Sequence, residues 1–268
     1  MILYHVIVCC KRPIRDKETV HDKFLENISF TKGRYCVTLP LKEKRDPLPD
    51  NYELSLVRLN SLVRRLRKEP SILKEYNQVF EDQLHERIIK RVDETEAQPP
   101  ENSHYLPHQA VIRSDALTTK LRVVFDASAR VKPGCLFLND CTYTGPLLTA
   151  GIANILMRFR AHKVGLVADI EKAFVNIEGD NQQRDLMHFL WIDDINKEDP
   201  NIVIYRFCRV IFGMNTLEGL YVDNWTSGGE NDDEAYALYK TTNACFASRD
   251  STLENGTQTS KKLLRRSC

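Results

Sequence analysis

Several familiar features are missing from this 268-residue sequence. Its eight cysteines (9, 10, 36, 135, 141, 208, 245 and 268) include no CxxC pair and read as reduced thiols of an intracellular protein. No apolar run is long enough to cross a membrane. Met1–Cys10 is apolar but short, and its positive charges follow it, the wrong order for a signal peptide. There is no internal repeat. There is also no excess of one charge: 38 Lys and Arg stand against 37 Asp and Glu, which gives a net charge of +1 and no global polyelectrolyte signal. His104 and His108 have the i,i+4 spacing of a metal-binding helix face, but Pro107 between them argues against a helix there.

What is present is ordinary in amount and uneven in place. Hydrophobic residues make up 42% and charged residues 28%, enough for a sizeable core. Residues 1–68 carry 15 Lys/Arg against 8 Asp/Glu, whereas residues 218–258 carry 2 against 8. A basic front half beside an acidic centre suits a polyanion track leading to a metal site, and solvated charged faces read the same way.

The pattern along the chain is mixed α+β. Residues 28–39 read as a hairpin turning at Thr31–Arg34. Asp46–Asp50 is an extended linker that ends in a helix N-cap signal. Leu56, Leu59, Val63 and Leu66 then form one helical stripe, surrounded by Arg58, Arg64, Arg65, Arg67 and Lys68. Pro70 suits the first turn of a second helix, with Leu73, Tyr76, Phe80 and Leu84 on its inner face. Residues 94–103 are a polar, Pro-rich break and the best candidate boundary. An extended stretch (104–113), a turn (114–119) and a strand, Leu121–Phe125, follow. A helix over 147–162 leads into a strand ending at Asp169. Another strand spans Ile202–Ile211, and Asp232–Phe246 is an acidic-capped helix.

Two short motifs carry chemistry. In Gly165-Leu166-Val167-Ala168-Asp169 and in Leu220-Tyr221-Val222-Asp223-Asn224, a carboxylate ends an apolar run. An acid at a buried strand tip is costly unless something neutralises it, and a metal ion commonly does. Two such tips side by side could hold the two divalent ions of phosphoryl transfer. A strand-ending Asp is also a common turn or helix cap.

The order of motifs resembles the reverse transcriptase region of a BEL/Pao-type LTR retrotransposon polyprotein, from about residue 18 to about residue 246. The resemblance rests on Leu48-Pro49-Asp50-Asn51-Tyr52-Glu53-Leu54, His104-Tyr105-Leu106-Pro107-His108, Lys120 through Ser128 (Lys-Leu-Arg-Val-Val-Phe-Asp-Ala-Ser), Leu138-Asn139-Asp140, Gly145-Pro146, Ala168-Asp169-Ile170-Glu171-Lys172, Phe212-Gly213-Met214 and Tyr221-Val222-Asp223. It implies incomplete fingers and a palm of the DNA/RNA polymerase type. Residues 1–17 stay unassigned and 18–95 form a hairpin and helices before the fingers. Residues 96–247 form fingers and palm with a deletion near 214–219, and 248–268 are a divergent tail.

The same resemblance assigns roles. Asp169 and Asp223 are the catalytic, metal-binding carboxylates, with Asn224 a weakened third ligand. Lys120 and Arg122 face the triphosphate of the incoming nucleotide, Phe174 is the steric gate against a ribose 2′-hydroxyl, and Tyr221 lies near the primer terminus. Read alone, Phe174 fits a core position, and Lys120 and Arg122 fit the solvated face of a half-buried strand. Two Mg²⁺ ions are implied, for which Mn²⁺ can substitute. The partners are an RNA or DNA template with its primer and deoxynucleoside triphosphates, without a membrane, and the expected setting is a cytoplasmic retroelement particle. Protease, RNase H and integrase segments are not evident on this chain.

Three departures from the family pattern stand out. Asn224 replaces a second adjacent acid. The connection from Met214 to Tyr221 has no room for a palm helix of about four turns. Residues 250–259 resemble nothing in the family, although Ser-Lys-Lys-Leu-Leu follows at 260–264. This copy is therefore expected to be catalytically inactive. The alternative reading is a non-catalytic, domesticated fragment that binds nucleic acid or a protein partner.

Overall fold

The computed structural model describes residues 27–31, 33–42, 47–92, 103–112, 121–143, 152–169, 176–211, 214, 224–247 and 261–262. In chain order these form β1 (Ser29–Thr31), β2 (Arg34–Val37), α1 (Tyr52–Leu66), α2 (Pro70–His85), β3 (Ile89–Arg91), β4 (His108–Ile112), β5 (Leu121–Phe125), α3 (Ile152–Arg160), β6 (Val164–Asp169), β7 (Glu178–Gly179), β8 (His188–Ile192), β9 (Ile202–Phe207), β10 (Asn224–Gly229), α4 (Asp232–Ala247) and β11 (Lys261–Lys262). Two 3₁₀ turns, Leu138–Cys141 and Asn181–Met187, complete the set. The architecture is mixed α+β with small sheets: β1–β2–β7, β10–β6–β11, β3–β9–β8 and the pair β4–β5.

The first half follows its sequence signals closely. The hairpin forms with Phe30 opposite Tyr35, and Gly33 at its turn takes the positive φ of 79° that a side chain would resist. In α1, Leu59, Leu62, Val63 and Leu66 are buried while the Arg-rich face stays outside. Pro70 opens α2 as expected, because the first-turn amide has no helical partner to lose. Leu84 departs from expectation. It is 42% exposed and lines a cavity.

β8 is a fully buried strand that the alternation rules miss. All five residues of His-Phe-Leu-Trp-Ile are buried, so the segment has an unbroken apolar run and no period of two. Its antiparallel partner β9 stops at Phe207, four residues short of the expected end, where Arg209 bridges instead to Glu178. The described part of α3 begins at Ile152, and residues 144–151 lie outside the described set.

The core gathers around β8. Trp191, Tyr76, Phe80, Phe189, Phe207 and Phe125 pack at ring-centroid distances between 4.8 and 5.5 Å wherever they pair. The imidazole of His108 sits among them. No helix among the described residues is long and apolar enough to cross a membrane.

Candidate functional site

Among the described residues, Asp169 and Asn224 meet in a strand ladder, and several of the polar sequence anchors meet in a buried junction. In the ladder, β6 and β10 run antiparallel over six pairs, from Val164 opposite Gly229 to Asp169 opposite Asn224. Directly opposed Cα atoms in such a ladder are roughly 5 Å apart. The backbone therefore brings the end of the first carboxylate motif against Asn224, the covalent neighbour of Asp223. On the other edge of β6, Lys261 pairs with Ala168 and Lys262 with Val167, so the 260–264 segment supplies the third strand. Asp223, Tyr221, Phe174 and Lys120 lie outside the described residues.

Two opposed glycines sit at close approaches in the ladder. α3 and the turn after it close over β6 so tightly that a Cβ on Gly165 would come within 2.5 Å of the Phe159 ring. A Cβ on Gly228, the ladder partner of Gly165, would sit 2.4 Å from the Val164 carbonyl oxygen. Beyond β10, Asn231 caps α4: its Oδ1 accepts from the Glu234 amide at 2.9 Å, while Glu234 Oε2 accepts from the Glu230 amide at 2.9 Å. This reciprocal pair works like a capping box and fixes the chain's turn from strand to helix. Asp232, Asp233 and Glu234 then lie at the positive end of the helix dipole.

Arg122 occupies the exposed face of β5, opposite Val111 of β4. It has no place in the ladder. The β4–β5 hairpin is held through His108, whose Nε2–H donates to the Leu190 carbonyl at 2.8 Å. A carbonyl can only accept, so Nδ1 is the unprotonated nitrogen, and the Tyr76 hydroxyl donates to it at 2.6 Å. Burial lowers this imidazole to about 4, against a small opposing effect of the Leu190 bond.

The junction collects four of the sequence anchors and uses them as scaffold. His104 donates through Nδ1 to the Pro49 carbonyl at 2.6 Å, and the Tyr105 amide donates to the Asp50 carbonyl at 2.6 Å. The Ser55 hydroxyl donates to the Tyr105 carbonyl at 3.1 Å. Asn51, buried and in the left-handed region at φ 62°, donates through Nδ2 to the Ala129 carbonyl at 3.1 Å. Asn139 Nδ2 donates to the Ser128 hydroxyl at 3.0 Å, and Arg58 reaches Asp126 Oδ2 at 2.8 Å. Asp126 itself closes an Asx turn by accepting from the Ser128 amide at 3.1 Å. These polar residues therefore lock the α1 entrance to the β5 exit, and His104 and His108 each engage separate partners.

Sequence reasoning missed the structural weight of Asn51, His104 and the Gly165–Gly228 pair. Only the left-handed preference of Asn and the position of Gly165 at the start of a strand pattern hinted at them. No protein-family model matches this chain, and no curated protein shows significant similarity to it.

Proposed function

We propose that this chain is the fingers-and-palm portion of a BEL/Pao-type reverse transcriptase, a template-directed nucleotidyltransferase impaired in this copy. The observation that supports the reading is the β6–β10 register, which sets Asp169 against the residue adjoining Asp223. Asp169 and Asn224 are far apart in sequence and directly paired in the ladder, which is what a two-tip arrangement would need of the residue next to Asp223.

The donor set suits a hard divalent cation. The carboxylates of Asp169 and Asp223 and the amide oxygen of Asn224 are all oxygen ligands, and these two carboxylates would hold Mg²⁺ or Mn²⁺. Once bound, such an ion supplies Lewis-acid polarisation and charge neutralisation at the transferred phosphoryl group. The chain's own residues would do the rest. Arg122, exposed on β5, offers a fixed positive charge to the triphosphate together with Lys120. Tyr221 would pack at the primer terminus, and Phe174 would exclude a ribose 2′-hydroxyl. Asn224 carries no charge, so the site has one negative charge fewer to offset two divalent ions, which is the physical ground for impairment.

A second reading, a non-catalytic nucleic-acid binder, draws on the exposed Arg64 and Arg65 of α1 and on Arg67 and Lys68 just after it. Primer extension on a homopolymer template with Mg²⁺ or Mn²⁺, beside an Asp169→Asn control, separates the two. Incorporation that disappears in the control supports the polymerase. A folded sample that binds primer–template in a salt-sensitive way and incorporates nothing supports the binder.

A further inference from the structure

A cavity of about 240 Å³ opens between α2 and the turn joining β8 to β9, and none of its lining residues belongs to β6 or β10. Phe80, Trp191 and Tyr205 give it aromatic surface, Glu81, Asp193, Asp194 and Lys74 line it, and Lys197 bonds Asp193 from beside it. Phe189 stacks on the Tyr205 ring at 5.4 Å and 17°, which holds that ring as a rigid wall. Burial raises the Tyr205 phenol above its ordinary value, and the charges of Asp193 and Glu81 add to the rise while Arg91 opposes it. Both carboxylates thus act on the space beside the ring.

The acids are held in place with capacity to spare. Asn77 Nδ2 donates to Glu81 Oε1 at 2.7 Å, and the Asn196 amide donates to Asp194 Oδ1 at 2.9 Å. A carboxylate has about four acceptor sites, so the second oxygen of each can take a further donor. Asp193 is more fully engaged, by Lys197 Nζ at 2.8 Å and by both nitrogens of Asn201. With Lys74 and Lys197 set against Glu81, Asp193 and Asp194, one negative charge remains for a ligand to meet, and a neutral apolar group would desolvate carboxylates without pairing them. The chemistry that fits is a planar cation on an apolar stem, which stacks on an aromatic face and pairs with carboxylates through a fork of donors.

We propose that this cavity receives an arginine side chain of a partner polypeptide, with its guanidinium against Tyr205 and within reach of Glu81 and Asp194. The site is independent of the nucleotidyl transfer proposed above.

The test uses the ¹⁵N-labelled full-length chain and the indole N–H of Trp191, which donates to Asn77 Oδ1 at 2.9 Å on the cavity wall. There are two tryptophans, so Trp225→Phe identifies the signal. Acetyl-Gly-Arg-Gly-amide is titrated into the millimolar range beside the same peptide carrying neutral citrulline. The expected result is a saturable shift with the arginine peptide alone. It should weaken about threefold or more in the surface variants Glu81→Gln and Asp194→Asn, and further with Tyr205→Leu. The absence of a saturable shift, an equal shift with citrulline, or binding unchanged in the Glu81→Gln, Asp194→Asn double variant would overturn the proposal.

Discussion

Gly165 and Gly228 are opposed across the β6–β10 ladder, and neither position has room for a side chain. The same ladder, four pairs further on, sets Asp169 opposite Asn224, so the glycine pair lies in the ladder that ends the first carboxylate motif. A one-residue slip would reverse which face every ladder residue occupies.

The two glycines should differ in tolerance. A Cβ at Gly228 meets the Val164 carbonyl oxygen and His162 Cβ at 2.4 and 2.5 Å, and neither atom can swing aside. Gly228→Ala is expected to destabilise by about 1–3 kcal/mol. Gly165→Ala meets the outer edge of the Phe159 ring and should cost less. Urea midpoints for the two variants check the order, and equal midpoints would show that the close approach does not hold the ladder.

If Asn224 limits the chemistry, restoring its charge should help. Asn224→Asp is expected to increase Mg²⁺-dependent incorporation at least roughly tenfold over the parent chain, in line with the magnitude of one electrostatic group at a phosphoryl site. Single-nucleotide extension assays measure it. An unchanged rate in a variant that binds primer–template normally would place the lesion elsewhere.

Stability should depend on acid in a defined window. Burial holds His108 at about 4 and lowers His104 as well, while the unfolded histidines titrate near 6.5. Between those values the unfolded chain binds more protons, so stability is fully present above about pH 6.5 and is lost as the pH falls toward 4. His108 alone accounts for about 3 kcal/mol of that loss. Urea midpoints at successive pH values should show the slope, and His108→Gln should flatten it.

The Tyr76–His108 bond has a separate signature. Tyr76→Phe removes the donor that satisfies Nδ1 in a fully enclosed site and should destabilise by about 1–3 kcal/mol near neutral pH. Thermal unfolding of the variant gives the value, and a change within error would mean that water replaces the hydroxyl.

The junction offers a contrast between a buried and an exposed contact. Asn51→Ala loses the Ala129 bond and strains a left-handed backbone, with an expected loss of about 2 kcal/mol. Arg58→Ala removes a pair whose side chains are 44% and 40% exposed, and should change stability by less than about 1 kcal/mol. Chemical denaturation of both variants side by side decides whether the junction, more than its surface charge, holds α1 to the β5 exit.

Much of this was legible in the sequence. The 3.6-residue stripe of α1, Pro70 at the start of α2, the β1–β2 turn at Gly33 and the β5 strand each follow from local propensity and periodicity, which act within a few residues. The acidic cap of α4 was read in the same way. Other features depend on contacts between distant segments. β8 carries no alternation because both of its faces are covered, and Leu84, whose stripe called for core, is exposed and lines a cavity. Asn51 and Ala129, 78 residues apart, share a hydrogen bond that no local pattern encodes. The sequence by itself determined α1, α2, the β1–β2 hairpin, β5 and the acidic start of α4, and that two apolar runs end in acids. Only the tertiary structure decided that Asp169 lies opposite Asn224, because strand pairing and close packing join residues some 60 positions apart, as at Gly165 and Gly228.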